Sequence, residues 1–106
     1  AIDYYKKVVN TLGAKTAQDS VGLFMVPGLT HCQAATDEFN AGWHGSMVSE
    51  LEQWIKNKKA PERIIASRFK DGKVVRTRPL CPYPQVATYK GTGSTDDAAN
   101  FTCKAP

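Results

Sequence analysis

The sequence lacks the features of a membrane protein and of a metal protein. No apolar run approaches the roughly 20 residues that a membrane-spanning helix needs. No basic-then-apolar start resembles a signal peptide, so we expect that any export signal was cleaved or lies upstream of Ala1. The two histidines, His31 and His44, and Cys32 give neither enough ligands nor a known spacing, so we expect no metal and no cofactor in this segment.

A concentrated basic face is also missing. The net charge of +4 comes from scattered lysines and arginines, with clusters only within residues 56–59 and 63–78. Nucleic-acid binding usually requires basic residues on one face together with a groove-entering element, and no such motif is present. We interpret the two clusters as a solvated helix end and a solvated hairpin face, and we expect no nucleic-acid partner.

The composition is that of an ordinary globular protein. Hydrophobic residues make up 42 % of the chain and both signs of charge are interspersed, which argues against a disordered tail. A chain of 106 residues can form one small domain, or part of a larger one, but not two domains.

Two amphipathic helices are predicted. The first has an apolar stripe formed by Ile2, Tyr5, Val9 and Leu12. Gly13 is expected to close it. The second helix runs from Ser46, a good N-cap residue, to about Lys58, and Pro61 marks the stop. Its expected buried stripe is formed by Met47, Leu51, Trp54 and Ile55.

Residues 21–26 form an almost continuous apolar run, which Pro27-Gly28 ends. Such a run without alternation predicts a strand buried on both faces, as in a parallel sheet covered by helices. The strand needs neighbours, and the chain offers only one other strand region. We therefore expect the chain to be part of a larger α/β fold, incomplete without an upstream segment.

A hairpin and a stapled tail are predicted for the last part of the chain. Residues 64–69 and 74–77 are β-prone and flank Asp71-Gly72, a strong hairpin signal. From residue 79 onward turn residues dominate, so we expect irregular, extended structure. A disulfide between Cys81 and Cys103 could staple this segment, which has little core of its own.

The remaining cysteine and a sequon point to a secreted protein. Cys32 is left unpaired, which in an extracellular context indicates a bond to another chain or to a missing part of the same chain. Asn100-Phe101-Thr102 is an N-glycosylation sequon, so Asn100 is the predicted site.

His31 is the leading candidate for chemistry. It follows the end of the predicted buried strand, and in open α/β sheets reacting groups gather beyond the carboxyl ends of the strands. Its imidazole can take a proton from a serine hydroxyl and return it to a leaving alcohol. From position alone, a loop histidine bonded to the backbone remains the alternative.

Several stretches of the chain carry a family resemblance. Residues 24–32 read Phe-Met-Val-Pro-Gly-Leu-Thr-His-Cys, and further similarity lies at residues 2–5, 60–64, 76–84, 89–91 and 100–103. Together they resemble the tannase and feruloyl esterase family, α/β-hydrolases of a Ser-Asp-His type, and residues 24–32 match the signature around the catalytic histidine.

The resemblance implies a fold and a role for each matched residue. Residues 1–106 would be the C-terminal part of an α/β-hydrolase catalytic domain, with the last core strand, flanking helices, a β-hairpin and a disulfide-pinned tail. His31 would be the general base and acid, Cys32 would bond a cysteine beside the nucleophilic serine, and Cys81 would pair with Cys103. Because the chain has no Gly-x-Ser-x-Gly elbow, serine and acid would lie upstream, as would the lid and its possible structural calcium.

The implied activity is hydrolysis of an ester between an aromatic acid and an alcohol or sugar. Residues 78–84 and the short tail after Cys103 resemble the feruloyl branch more than tannases, whose galloyl esters are the alternative substrates. Trp43 would contact the acyl group or only pack. A non-catalytic, secreted, disulfide-linked module that binds a carbohydrate or phenolic ligand through Trp43, Tyr83 and Tyr89 remains open.

Overall fold

A computed structural model of the chain describes residues 1–27, 39–40 and 46–106. The helices are α1 (Ile2–Leu12), α2 (Ala14–Ser20) and α3 (Ser46–Asn57), and a 3₁₀ turn spans Ala98–Asn100. The strands are β1 (Phe39–Asn40), β2 (Ile64–Lys70), β3 (Lys73–Leu80), β4 (Val86–Tyr89) and β5 (Phe101–Lys104). None of the helices in the described ranges is long and apolar enough to cross a bilayer.

The first predicted helix is confirmed as α1, and a second helix follows it directly. Gly13 separates the two with a φ of 81°, a value that glycine adopts without strain, and its N–H donates to the Val9 carbonyl at 2.9 Å. The sequence analysis missed α2 because its residues are mostly polar and form no apolar stripe. Its one buried residue, Ala17, is only 1 % exposed.

The second predicted helix is confirmed as α3, but the burial of its stripe was predicted wrongly. Lys58 ends the helix with a positive φ of 53°. Met47 packs against the core and Trp54 is half-buried. Leu51 and Ile55, by contrast, are 53 % and 70 % exposed. The apolar periodicity identifies a helix face suited to burial, and the described residues do not cover that face.

The predicted hairpin is confirmed, and it contains the core. Asp71 and Gly72 form its turn with φ values of 51° and 74°, and the two positive values are those of the turn that joins twisted strands with a two-residue loop. Strand β2 lies between β1 and β3 in an antiparallel sheet. Ile64, Ala66 and Leu80 are buried together at the end of the hairpin opposite the turn, against Phe24, Val26 and Met47.

The tail is stapled as predicted, but it is not irregular. Strands β4 and β5 pair in antiparallel register from Val86↔Lys104 to Tyr89↔Phe101. The disulfide between Cys81 and Cys103 joins the residue after β3 to β5. Turn residues between two short strands obscured this sheet in the sequence, since neither strand reads as a long β-prone run.

The apolar run at residues 21–26 does not form a regular strand in the described structure. It makes one isolated antiparallel bridge, between Phe24 and Pro82, and none of its residues is fully buried. Met25, for example, is 48 % exposed. A strand buried on both faces requires a hydrogen-bonded neighbour on each side, and the described residues supply only this single bridge.

Candidate functional site

The residues predicted to carry chemistry lie outside the described part of the chain. His31 and Cys32 fall in the gap between residues 27 and 39, and Trp43 and His44 fall in the gap between 40 and 46. The structure does describe the stretch that leads to His31, residues 21–27, called here the approach segment. How this segment is held therefore determines where the histidine loop starts.

The approach segment rests on the hairpin core through two alternate side chains. Phe24 and Val26 both pack against the buried cluster of β2 and β3. This spacing of two is that of an extended backbone, in which every second side chain points to the same face. The segment is thus aligned with the sheet although it forms only one bridge to it.

Gly22 allows two aromatic rings to approach the start of the segment. A Cβ built on Gly22 would lie 3.1 Å from Cε2 of Phe24 and 3.8 Å from Cζ3 of Trp54 in α3. Any larger residue would therefore press on the Phe24 ring. The sequence analysis missed this residue, although a glycine within an apolar run is itself a signal of close approach.

The turn after β3 holds the approach segment through the main chain. The Tyr83 N–H donates a hydrogen bond of 2.7 Å to the Leu23 carbonyl, next to the bridge between Phe24 and Pro82. The Tyr83 ring meets the Tyr5 ring of α1 edge to face, with centroids 5.9 Å apart and planes at 86°. Tyr83 thus contacts both α1 and the segment. The sequence analysis used it only as part of a family stretch and of a possible binding surface.

The disulfide lies beside this turn. Cys81 is buried at 7 % exposure, and its Cα lies 5.5 Å from that of Cys103. Because Cys81 immediately precedes Pro82, the bond ties the turn to β5. The staple predicted for the tail also supports the approach segment.

The hairpin arginines bind the tail, which modifies the prediction of a solvated basic face. Arg76 forms an ion pair with Asp96 at 2.5 Å, with both side chains about half exposed. Arg78 donates to the Thr95 carbonyl, and its guanidinium lies 4.2 Å from the centre of the Phe101 ring. Both guanidinium groups are therefore engaged by contacts within the chain, and these contacts fix the turn before the 3₁₀ helix.

Asn100, the predicted glycosylation site, takes part in the same turn. Its Nδ2 donates to the Ser94 carbonyl at 2.9 Å. Gly93 adopts a φ of 84°, and a Cβ there would lie 2.5 Å from Nδ2 of Asn100. A sugar on Nδ2 would replace one of its two hydrogens and leave the other to donate. Glycosylation at Asn100 stays a prediction.

A cleft of about 820 Å³ lies at the start of the approach segment. It is lined by Val21, Gly22, Phe24, Trp54 and Tyr83, among others. Tyr89 does not line the cleft; it contacts Phe101 and donates to the Gly93 carbonyl at 2.6 Å. The structure does not bring Tyr83 and Tyr89 together as one binding surface.

Charged groups near this cleft are ordinary surface groups. The Lys59 ammonium lies 2.7 Å from the Glu62 carboxylate, and both side chains are more than two-thirds exposed. The hydrogen bond, and secondly the charge, lower the pKa of Glu62 and raise that of Lys59. Within the described ranges, no three potential metal ligands come together.

Comparison with known proteins identifies the chain's relatives. The profile of the family described as "Tannase and feruloyl esterase" matches residues 1–104. Mono(2-hydroxyethyl) terephthalate hydrolase from Piscinibacter sakaiensis is 41 % identical over 98 % of this chain and 17 % of its own length. A probable feruloyl esterase B from Emericella nidulans is 27 % identical over 94 % of this chain and 22 % of its own length.

A solved structure shows the same fold. The chain matches the crystal structure of feruloyl esterase B from Aspergillus oryzae with a TM-score of 0.77 at 24 % identity, covering 95 % of this chain and 22 % of that one. The fold class is therefore α/β, of the α/β-hydrolase type. The chain belongs to the tannase and feruloyl esterase family, and it spans about a fifth of the length of these relatives.

Proposed function

We propose that this chain is the C-terminal part of the catalytic domain of a secreted carboxylic ester hydrolase, and that His31 is its general base and acid. The observation that supports the proposal is the position of His31 in the sequence. It follows an extended segment anchored on a sheet, in a chain whose family match runs from residue 1 to residue 104. Loops held in this way by rigid elements are where catalytic groups are found.

The proposed reaction divides the work between this chain and the upstream segment. A serine hydroxyl of the upstream segment attacks the ester carbonyl while His31 takes its proton, and backbone amides stabilise the oxyanion. His31 then gives the proton to the leaving alcohol. In the second half of the reaction a water molecule, deprotonated by His31, releases the aromatic acid and regenerates the serine. An upstream aspartate orients the imidazole.

Cys32 has a positioning role in this proposal. A disulfide from Cys32 to a cysteine beside the serine would tie the two reacting loops together, so that base and nucleophile stay within hydrogen-bonding reach. Intact mass under reducing and non-reducing conditions tests it. This role is contradicted if reduction changes the mass only by the amount expected for the bond between Cys81 and Cys103.

The substrates we propose are esters of aromatic acids, with feruloyl and related hydroxycinnamoyl esters first and galloyl esters second. Relatives named as a terephthalate half-ester hydrolase and as feruloyl esterases support the aromatic acyl group. Trp43 is the proposed contact to that group. Parallel rates on methyl ferulate, methyl gallate and a terephthalate half-ester rank the three. No cofactor is proposed for this segment, and the structural calcium that the family resemblance allows would lie in the lid region outside it.

The decisive experiment is His31→Ala in the full-length protein. We expect kcat to fall by about 10³-fold or more, because the serine loses its base, while near-UV circular dichroism stays unchanged. His44→Ala is the matched control, since His44 has no support from the family signature and should keep most of the activity. A His31→Ala enzyme with nearly full turnover of methyl ferulate would refute the proposal.

A further inference from the structure

We propose that Tyr83 is a positioning residue for His31, acting through the approach segment. This inference rests on the proposed function, because it concerns the rate of the same reaction. Tyr83 itself touches no reacting group in the proposal. It sets the course of residues 21–27 before the chain continues to the histidine.

The first argument is that this segment depends on few main-chain contacts. Among the described residues, its main chain is joined to the chain that follows β3 only by the isolated bridge between Phe24 and Pro82, and the bond from the Tyr83 N–H to the Leu23 carbonyl belongs to this bridge. A regular strand would spread the same task over a ladder of bonds. Here the turn formed by Pro82 and Tyr83 provides this single contact.

The second argument is that the Tyr83 side chain fixes this turn from the other side. Its ring is half-buried and meets the ring of Tyr5 in α1 edge to face at 5.9 Å. Edge-to-face aromatic pairs are favourable beyond their buried area. Without the ring, the turn keeps its disulfide at Cys81 but loses its contact with the helix. A displacement of the Leu23 carbonyl then shifts the segment from which the chain continues to His31.

The third argument concerns which part of the side chain matters. The described contacts of Tyr83 use the main-chain N–H and the ring, and the hydroxyl makes no hydrogen bond to any described residue. Phenylalanine retains both contacts, whereas alanine retains only the N–H. The conservative variant should therefore restore what alanine loses.

The test compares tyrosine variants of the full-length protein on methyl ferulate. For Tyr83→Ala we expect kcat per folded molecule to fall about tenfold with KM changed less than about twofold, because a small misplacement of the base slows proton transfer. Tyr83→Phe should keep kcat within about twofold of the original. Folded protein is quantified by near-UV circular dichroism at a temperature well below the melting point.

Tyr89→Ala is the matched control. Tyr89 also packs on an aromatic ring, Phe101 at 5.5 Å, and it donates to the Gly93 carbonyl, but it contacts the tail and not the approach segment. We expect Tyr89→Ala to lower the melting temperature and to leave kcat unchanged. If both alanine variants lower kcat equally, Tyr83 has only a structural role and the inference is wrong.

A second variant covers the case in which Tyr83→Ala does not fold. Tyr5→Leu removes the ring contact from the α1 side and leaves Tyr83 in place, and it should lower kcat in the same direction. The inference is wrong if kcat is unchanged in Tyr83→Ala or, should that variant not fold, in Tyr5→Leu. In that case an inactive His31→Ala still supports the proposed function. An active His31→Ala overturns the proposed function, whatever the tyrosine variants do.

Discussion

The hairpin and tail, residues 64–104, differ sharply from the helical part of the chain in how they are held. Of the buried side chains among the described residues, only Ala17 lies outside the hairpin and tail. The helices instead present large apolar side chains to solvent, including Val48 at 60 % and Ile55 at 70 % exposure. The C-terminal region has its own core, whereas the helical region has an uncovered face.

The contrast explains which contacts each region can rely on. The hairpin and tail are joined by the disulfide, the ion pair between Arg76 and Asp96, and the contacts of Arg78. All of these are made within the described chain. The apolar face of α3 has no such partner among the described residues, as expected if, in the proposed catalytic domain, that face packs on the remainder of the enzyme.

Removing the disulfide is expected to have the largest effect on the stability difference between the two regions. We expect Cys81→Ser with Cys103→Ser to cost about 3 to 4 kcal/mol of unfolding free energy, because a closed loop between residues 22 positions apart no longer restricts the unfolded chain. Urea unfolding of the 106-residue chain followed by circular dichroism measures it. Cys32→Ser is the control and should leave the midpoint unchanged. If the double cysteine variant and the original chain unfold at the same urea concentration, the disulfide does not stabilise the tail.

A pair of isoleucine substitutions sharpens the comparison. Ile64 is 4 % exposed in the hairpin core. We expect Ile64→Ala to lower the free energy of unfolding by about 2 to 3 kcal/mol, because burial is lost and a cavity is left behind. Ile55 is 70 % exposed on α3, and Ile55→Ala should lower the free energy of unfolding by less than about 0.5 kcal/mol. The same urea titration reports both. Similar losses at the two positions would mean that the two regions are equally well packed.

The smallest effect is expected at the exposed ion pair between the two regions. The lowered pKa of Glu62 means that its contribution is present above the ordinary glutamate pKa and is lost as pH falls through the folded value. The raised pKa of Lys59 means that its contribution is lost only as pH rises through the folded value. Because both groups are fully exposed, solvent screens the pair.

We therefore expect Glu62→Gln to shift the melting temperature by less than about 1 °C at neutral pH. The residual difference from the original protein should vanish in acid, where the carboxylate is protonated. Thermal melts at neutral and acidic pH measure both quantities. A large shift at neutral pH would show that this surface pair stabilises the link between α3 and the hairpin.

Local signals predicted the elements that local interactions hold. The hairpin follows from Asp71-Gly72, because few residues other than glycine and aspartate accept the two positive φ values of its turn. Helices α1 and α3 follow from their apolar spacing. The pairing of Cys81 with Cys103 was suggested by their shared position in a turn-rich segment and implied by the family resemblance.

Elements held by distant contacts were missed or described wrongly. The sheet of β4 and β5 depends on pairing across a turn-rich connection, and α2 depends on its place after Gly13 rather than on a stripe of its own. The run at residues 21–26 was predicted as a buried strand, because its single bridge to Pro82 was not foreseeable from the sequence. For the candidate site, His31 was predicted from its position and the family resemblance, and Cys32 from its lack of a partner and the same resemblance. The contacts of Gly22 and Tyr83 became visible only in three dimensions.

The amide of Asn100 gives this position a structural role in the turn. Its bond to the Ser94 carbonyl and its fit against Gly93 do not depend on any sugar. The turn itself therefore explains an asparagine at position 100, independently of glycosylation.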